Sequence, residues 1–119
     1  MIKIIHFIPT LGGGGAERQL TALAIEQSRN NYNVTVCIRR GGVYEQELIQ
    51  NNIKILRIGE HPAVSLKSLK RCYQIIKIKR PDIIQSWLPQ MDIYIGLLVW
   101  FSSKKWIMTE RSNFDAYKL

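Results

Sequence analysis

The 119-residue sequence is poor in the residues and runs that usually mark a metal site, a disulfide framework or a membrane span. Its two cysteines, Cys37 and Cys72, lie in apolar segments that we expect to be buried, which indicates a reduced, cytoplasmic protein. Its two histidines, His6 and His61, show no metal-ligand spacing to each other or to the cysteines, so we expect no metal. The longest apolar run, residues 93–101, is far shorter than the about 20 residues of a membrane-spanning helix. The amino-terminal residues show no secretory signal pattern.

Acidic residues are also scarce, because nine Asp and Glu stand against 17 Lys and Arg and give a net charge of +8. Such an excess favours an anionic partner. One helical segment, residues 65–81, carries six cations and no acid, and four of the cations are predicted to share one face: Lys67, Lys70, Arg71 and Lys77. This face suits an anionic membrane surface, although a merely solvated face has the same composition. Aromatic interleaving and a known reader motif are missing, so we expect no nucleic acid partner.

Short β-branched runs alternate with helical patterns along the whole chain. Strands are predicted at residues 2–8, 34–38, 53–58, 82–87 and 105–109. Helices are predicted directly after the glycines, at residues 44–50, in the basic segment and at residues 91–103. The predicted buried stripe of the first helix includes Ala16, Leu20, Leu23 and Ala24. That of the third helix includes Leu66, Leu69, Tyr73 and Ile76.

This alternation predicts one α/β domain over residues 1–119, an open parallel sheet of Rossmann type with strand order 3-2-1-4-5. Ligands of such sheets bind outside the carboxyl ends of the strands, near the point where the strand order reverses.

Four consecutive glycines, Gly12 to Gly15, join the first strand to the first helix. Bare backbone at a helix N-terminus is typical of a phosphate site, whereas a tight turn needs only one or two glycines. The loop is not a Walker A sequence, and a dinucleotide fingerprint would place Glu17 or Arg18 where a third small residue belongs. Arg39 and Arg40, at the end of the second strand, could still accept the extra phosphate of NADP, so an oxidoreductase domain remains an alternative.

Four segments, "FIPTLGGGGAERQL", "NVTVCI", "RPDIIQSWLP" and "TERSN", each lie at or beside a predicted strand. Together they resemble the N-terminal, acceptor-side half of a family-four glycosyltransferase of the GT-B fold, and most of all bacterial enzymes that extend lipid-linked glycans. The resemblance covers essentially the whole chain. It implies that Gly13, Gly14 and Gly15 offer backbone N–H groups to the diphosphate of a nucleotide-sugar donor.

The resemblance also implies roles for residues after the fourth and fifth strands. Related enzymes often place a histidine near the donor sugar in the last loop, and the matching position here is Arg111, which cannot shuttle a proton. Glu110 and Arg111 are the catalytic candidates. Ser112, Asn113 and Trp87 are candidates for binding sugar or acceptor, although Trp87 can equally cap the core.

The implied activity is transfer of a hexose from a nucleotide-diphosphate donor to a lipid-linked saccharide, with retention of the anomeric configuration and without metal or cofactor. The family's donor-binding domain would lie beyond Leu119, so we expect this chain to be a truncated domain that is inactive alone and that works at the inner face of the membrane. A non-catalytic module that binds an anionic membrane is the other alternative, and it would depend on the basic segment alone.

Overall fold

Five parallel strands form one sheet in the computed structural model, which describes residues 1–12, 14–59, 66–87 and 105–109, with the backbone alone for Leu66 and residues 105–109. The elements follow one another in the order β1 (Lys3–Phe7), α1 (Gly15–Arg29), β2 (Asn33–Ile38), α2 (Glu45–Gln50), β3 (Lys54–Arg57), α3 (Leu66–Lys79), β4 (Ile83–Trp87) and β5 (Lys105–Thr109). Each described strand lies within one residue or so of its predicted position. The helix predicted at residues 91–103 lies outside the described residues.

The strand order is β3-β2-β1-β4-β5, as predicted, and every neighbouring pair is parallel. Ile4 of β1 pairs with Val34 of β2 on one side and with Ile83 of β4 on the other. The strand order therefore reverses between β1 and β4. Because parallel strands are covered on both faces, these central strands are buried along nearly their whole length.

Two apolar clusters cover the two faces of the sheet. The first cluster contains buried residues of α1 and Leu48 of α2, together with Val34, Val36 and Ile38 of β2. The second contains residues of α3 and Cys37 of β2, whose side chain points to the opposite face. The α1 and α3 helices consequently lie on opposite faces of the sheet.

The buried stripes of α1 and α3 differ in part from the predicted ones. In α1, Leu23 is only partly buried, and Thr21 is buried instead because its hydroxyl donates a hydrogen bond of 2.8 Å to the Glu17 carbonyl. In α3, the prediction for Tyr73 was wrong, since its side chain is 50% exposed while Cys72 and Ile75 face the sheet. A buried phenol would need a hydrogen-bond partner, whereas here the Lys77 ammonium lies 5.9 Å from the Tyr73 ring centroid.

The described helices are of ordinary globular length, α1 having 15 residues and α3 having 14. No helix in the described part of the chain is long and apolar enough to cross a membrane.

Candidate functional site

The glycine loop lies at the carboxyl edge of the sheet, between β1 and α1. Gly14 precedes the helix with an extended backbone, φ −74° and ψ 170°, and Gly15 is its first residue. No side chain among the described residues caps this end of α1. The first-turn N–H groups and the positive end of the helix dipole are therefore directed toward the carboxyl edge, where ligands of such sheets bind.

Packing against the described residues does not explain why position 15 is a glycine. A Cβ atom built there would meet none of their atoms within 4 Å, and one built on Gly12 would make only an ordinary contact of 3.7 Å with the Thr10 hydroxyl. Alanine at a helical position is about 1 kcal/mol more favourable than glycine. A position that would gain stability from a methyl group but lacks one is typical of a close approach by a ligand.

Glu17 is a feature of the loop that the sequence analysis did not place in the site. The Thr10 hydroxyl donates a 3.3 Å hydrogen bond to its Oε1 atom, and a Cβ on Gly14 would collide with its Oε2 atom. The carboxylate thus folds back over the start of the helix. It disfavours an anion directly at Gly14 and offers an acceptor to a ligand hydroxyl. In the sequence, Glu17 stands out only as a side chain too large for the third small residue of a dinucleotide fingerprint.

The turn after β2 packs against the residues that lead into the glycine loop and hydrogen-bonds to their carbonyl groups. The Pro9 carbonyl accepts hydrogen bonds from the backbone N–H groups of Arg39 and Arg40, at 2.9 and 3.0 Å. The Leu11 carbonyl accepts a hydrogen bond of 3.3 Å from the Tyr44 N–H, and Gly42 packs directly against it. The loop is therefore built on a second loop rather than on side chains alone.

A buried polar chain crosses from β4 through β1 to α1. The Trp87 indole N–H donates to His6 Nδ1 at 3.0 Å, and His6 Nε2 lies 2.8 Å from Gln27 Oε1. Both bonds are satisfied only by a neutral imidazole whose proton is on Nε2. Burial lowers the pKa of His6 to about 4, although the bond to Gln27 opposes that shift.

Trp87 belongs to this buried chain. Its side chain is 3% exposed and its indole N–H is committed to His6. A ring so covered leaves no face for a sugar to stack on in this conformation, so the geometry supports the packing role over the predicted sugar contact.

The remaining predicted site residues separate into two groups. Gly13, Glu110, Arg111, Ser112 and Asn113 lie outside the described residues. The four cations of the basic face, Lys67, Lys70, Arg71 and Lys77, lie on α3, on the face of the sheet opposite α1. The basic face therefore does not extend the glycine-loop site. No cluster of His, Cys, Asp and Glu in the described part of the chain could hold a metal ion.

Solved structures show how widely this fold is shared. The chain is similar to a glycosyltransferase from Rickettsia africae, with a TM-score of 0.73 and 21% identity over 98% of this chain and 33% of that one. MurG of Acinetobacter baumannii matches with a TM-score of 0.73 and 14% identity, over 97% of this chain and 38% of MurG. HepE of Anabaena, solved with UDP and glucose, matches with a TM-score of 0.69 and 16% identity, over 91% of this chain and 29% of HepE.

The chain thus spans roughly a third of the length of each of these proteins. A search of curated proteins finds no match. The model of Glycosyltransferase Family 4, in contrast, matches residues 13–118. That match starts within the glycine loop and includes every described helix and strand from α1 onward, and the chain therefore belongs to glycosyltransferase family 4 as an N-terminal, Rossmann-like domain of the GT-B type.

Proposed function

We propose that this chain is the acceptor-side domain of an enzyme that transfers a sugar from a nucleoside-diphosphate donor to an acceptor hydroxyl. The observation that carries the proposal is Gly15, the first residue of α1, at a helix N-terminus that no described side chain caps and that lies where the strand order reverses. Membership of the family and the UDP complex of HepE agree with a nucleotide sugar as the donor. The acceptor that we propose is a lipid-linked saccharide in glycan synthesis at the membrane.

The chemistry explains why an uncapped helix N-terminus is useful here. Transfer breaks the bond between the anomeric carbon and the diphosphate oxygen and forms a bond from that carbon to the acceptor oxygen, while the proton of the acceptor hydroxyl passes to the leaving diphosphate. Negative charge develops on the diphosphate as it leaves, and fixed N–H dipoles at Gly15 stabilise that charge without reorganising. Glu17, held by Thr10, is placed to accept a hydrogen bond from a sugar hydroxyl. We propose that the reaction retains the anomeric configuration and needs no metal or cofactor.

Substitution of Gly15 tests this proposal. We expect G15V to reduce sugar transfer by the intact protein at least tenfold, about the effect of losing one charge-assisted hydrogen bond. The branched side chain would occupy the space in which the donor phosphates approach, while its Cβ atom would meet no described atom within 4 Å. The measurement is transfer from a panel of UDP-sugars, together with the melting temperature of each variant.

G12A is the matched control, because its Cβ makes an ordinary contact within the same loop. It should keep both activity and melting temperature. Full activity of G15V would exclude a donor phosphate at this position. A change in NADPH fluorescence that depends on Arg40 would instead favour the oxidoreductase alternative.

We further propose that the basic face of α3 attaches the enzyme to an anionic membrane. Lys67, Lys70 and Lys77 are exposed, and the last turn of the same helix also exposes an apolar side chain, Ile78, which is 73% exposed. A helix that presents both cations and an apolar side chain suits an anionic bilayer surface, since the cations meet headgroups while the apolar group enters the interface. The acceptor of the proposed reaction would be found at the same surface.

Vesicle retention tests the membrane proposal. We expect K67Q/K70Q to weaken binding to phosphatidylglycerol vesicles roughly 30-fold at low salt, because each lysine near an anionic surface contributes about 1 kcal/mol. The control is R18Q/R29Q, which removes the same charge from α1 on the opposite face of the sheet. Equal losses in the two double variants would show that only net charge matters, and the docking face would be rejected.

A further inference from the structure

A second basic feature lies at the opposite edge of the sheet from the glycine loop. Three lysines, Lys3, Lys54 and Lys79, line a cavity of about 360 Å³ together with Asn33, Thr35 and Ile78. We refer to it as the lysine cavity. A cavity of this volume is in the range of small-molecule sites. Among the described residues that line it, none is acidic.

The register of the sheet brings these residues together. Lys3 pairs with Asn33, and Thr35 pairs with Lys54, so the four side chains start from the same face at the amino ends of three strands. Ile78 and Lys79 come from the last turn of α3, which packs on that face. The lysine cavity therefore combines residues that are up to 76 positions apart in the sequence.

Ordinary structural roles account for two of the three lysines but not for all. Lys79 suits the negative end of a helix, and Lys54 protects the edge strand β3 against pairing with another chain. Lys3 begins the central strand β1, where neither reason applies. Asp82 accepts a hydrogen bond of 2.8 Å from the Lys3 backbone N–H through Oδ2, but it does not line the lysine cavity.

The gathered lysines repel one another. The side chain of Lys54 within hydrogen-bonding reach, together with partial desolvation and the charge of Lys3, lowers the pKa of Lys79. Like charges held this close are unfavourable, and an anion placed between them would relieve the repulsion. Thr35, which is 6% exposed, and Asn33 add a hydroxyl and an amide to the same lining.

We propose that the lysine cavity binds a phosphate group, carried either by a small phosphorylated molecule or by a lipid headgroup. Three ammonium groups, one amide and one hydroxyl match the charge and the several acceptor oxygens of a phosphate monoester. The volume leaves room for part of the molecule that carries the phosphate, and exposed Ile78 supplies an apolar contact for it. The strands separate this site from the glycine loop by roughly 16 Å, so it is distinct from the proposed donor site and does not depend on it.

Titration with inorganic phosphate and pyrophosphate tests the proposal directly. Amide chemical shifts of Asn33 and Thr35 should move with added phosphate, and the Kd should rise at least tenfold in K54Q and in K79Q, as expected for the loss of a hydrogen bond to a charged group. K70Q is the matched control, because it removes the same charge from the same helix outside the lysine cavity. G15V should leave this titration unchanged, which separates the lysine cavity from the glycine loop.

Vesicles distinguish the two sources of the phosphate. R29Q is the control for vesicles, because it removes the same charge from the last turn of α1, outside both the basic face and the lysine cavity. Retention on phosphatidic acid vesicles that falls in K54Q and K79Q more than in R29Q would identify a lipid headgroup. Cavity-dependent binding of inorganic phosphate or pyrophosphate, with equal vesicle retention in K54Q, K79Q and R29Q, would identify a free phosphorylated ligand. The proposal would be overturned if phosphate and pyrophosphate failed to distinguish K54Q and K79Q from K70Q and vesicles failed to distinguish them from R29Q.

Discussion

The G42A variant should unfold about 3 kcal/mol more easily than the parent chain, near the upper end of the range for overpacking. A Cβ atom at position 42 would collide with the Leu11 carbonyl and would lie 2.6 Å from the Gly12 backbone nitrogen. Backbone atoms cannot move aside as a flexible side chain can, and Leu11 is fully buried. The hydrogen bond from Tyr44 to the Leu11 carbonyl would be lost in the same displacement.

Chemical denaturation measures this change, and amide chemical shifts of Gly14 and Gly15 report whether the glycine loop has moved. The control is again G12A, which adds the same methyl group on the other side of the contact at an ordinary distance. We expect G12A to change the free energy of unfolding by less than about 1 kcal/mol. Equal stabilities of G42A and G12A would mean that the two loops are not in contact.

Acidification from pH 7 to pH 4 should cost about 3 kcal/mol of stability through His6 alone. The pKa of His6 is lowered from 6.5 to about 4 in the folded chain, chiefly by burial. Between pH 6.5 and pH 4 the imidazole of the unfolded chain binds a proton that the imidazole of the folded chain does not bind. The free energy of unfolding from this group is therefore constant above pH 6.5, falls as the pH decreases through the window, and levels off below pH 4.

The contribution of His6 is isolated by comparing variants. In H6N the free energy of unfolding should lack the decrease of about 3 kcal/mol between pH 7 and pH 4, because asparagine does not titrate. W87F removes the donor to Nδ1 and should cost about 1–3 kcal/mol at pH 7, but it should keep the pH dependence, since His6 stays buried. An imidazole that titrates near pH 6.5 by NMR in the folded parent chain would contradict this account.

The sheet was predictable from the sequence because its strands are short β-branched runs separated by helical connections. Parallel pairing and right-handed crossovers leave few possible orders, and the predicted order was confirmed. The faces of the helices were less predictable. Thr21 is buried where Leu23 was predicted, because a hydroxyl bonded to its own helix is easily buried. Cys72 is buried as expected, but its neighbour Tyr73, which was also predicted to be buried, is exposed.

The candidate site was predictable only in outline. Four glycines at a strand end indicate a phosphate loop, but the position of the Glu17 carboxylate follows from a side-chain contact with Thr10 that no spacing shows. The lysine cavity depends on the register of strands that begin at Lys3 and Lys54 and on where α3 ends. Pattern alone does not fix the register between strands so far apart in the chain.

The pairing of β1 with β4 has a consequence for how the chain folds. Lys3 and Asp82 are 79 residues apart, and His6 and Trp87 are 81 apart, yet each pair is joined in the finished sheet. Ribosomes add about 5 to 20 residues per second, so roughly 4 to 16 s pass between synthesis of the two strands. During that interval one edge of the apolar strand β1 has no partner from β4. We expect folding to be slow, as in other topologies with non-local contacts. We also expect chaperones to protect the β1 strand until β4 pairs with it.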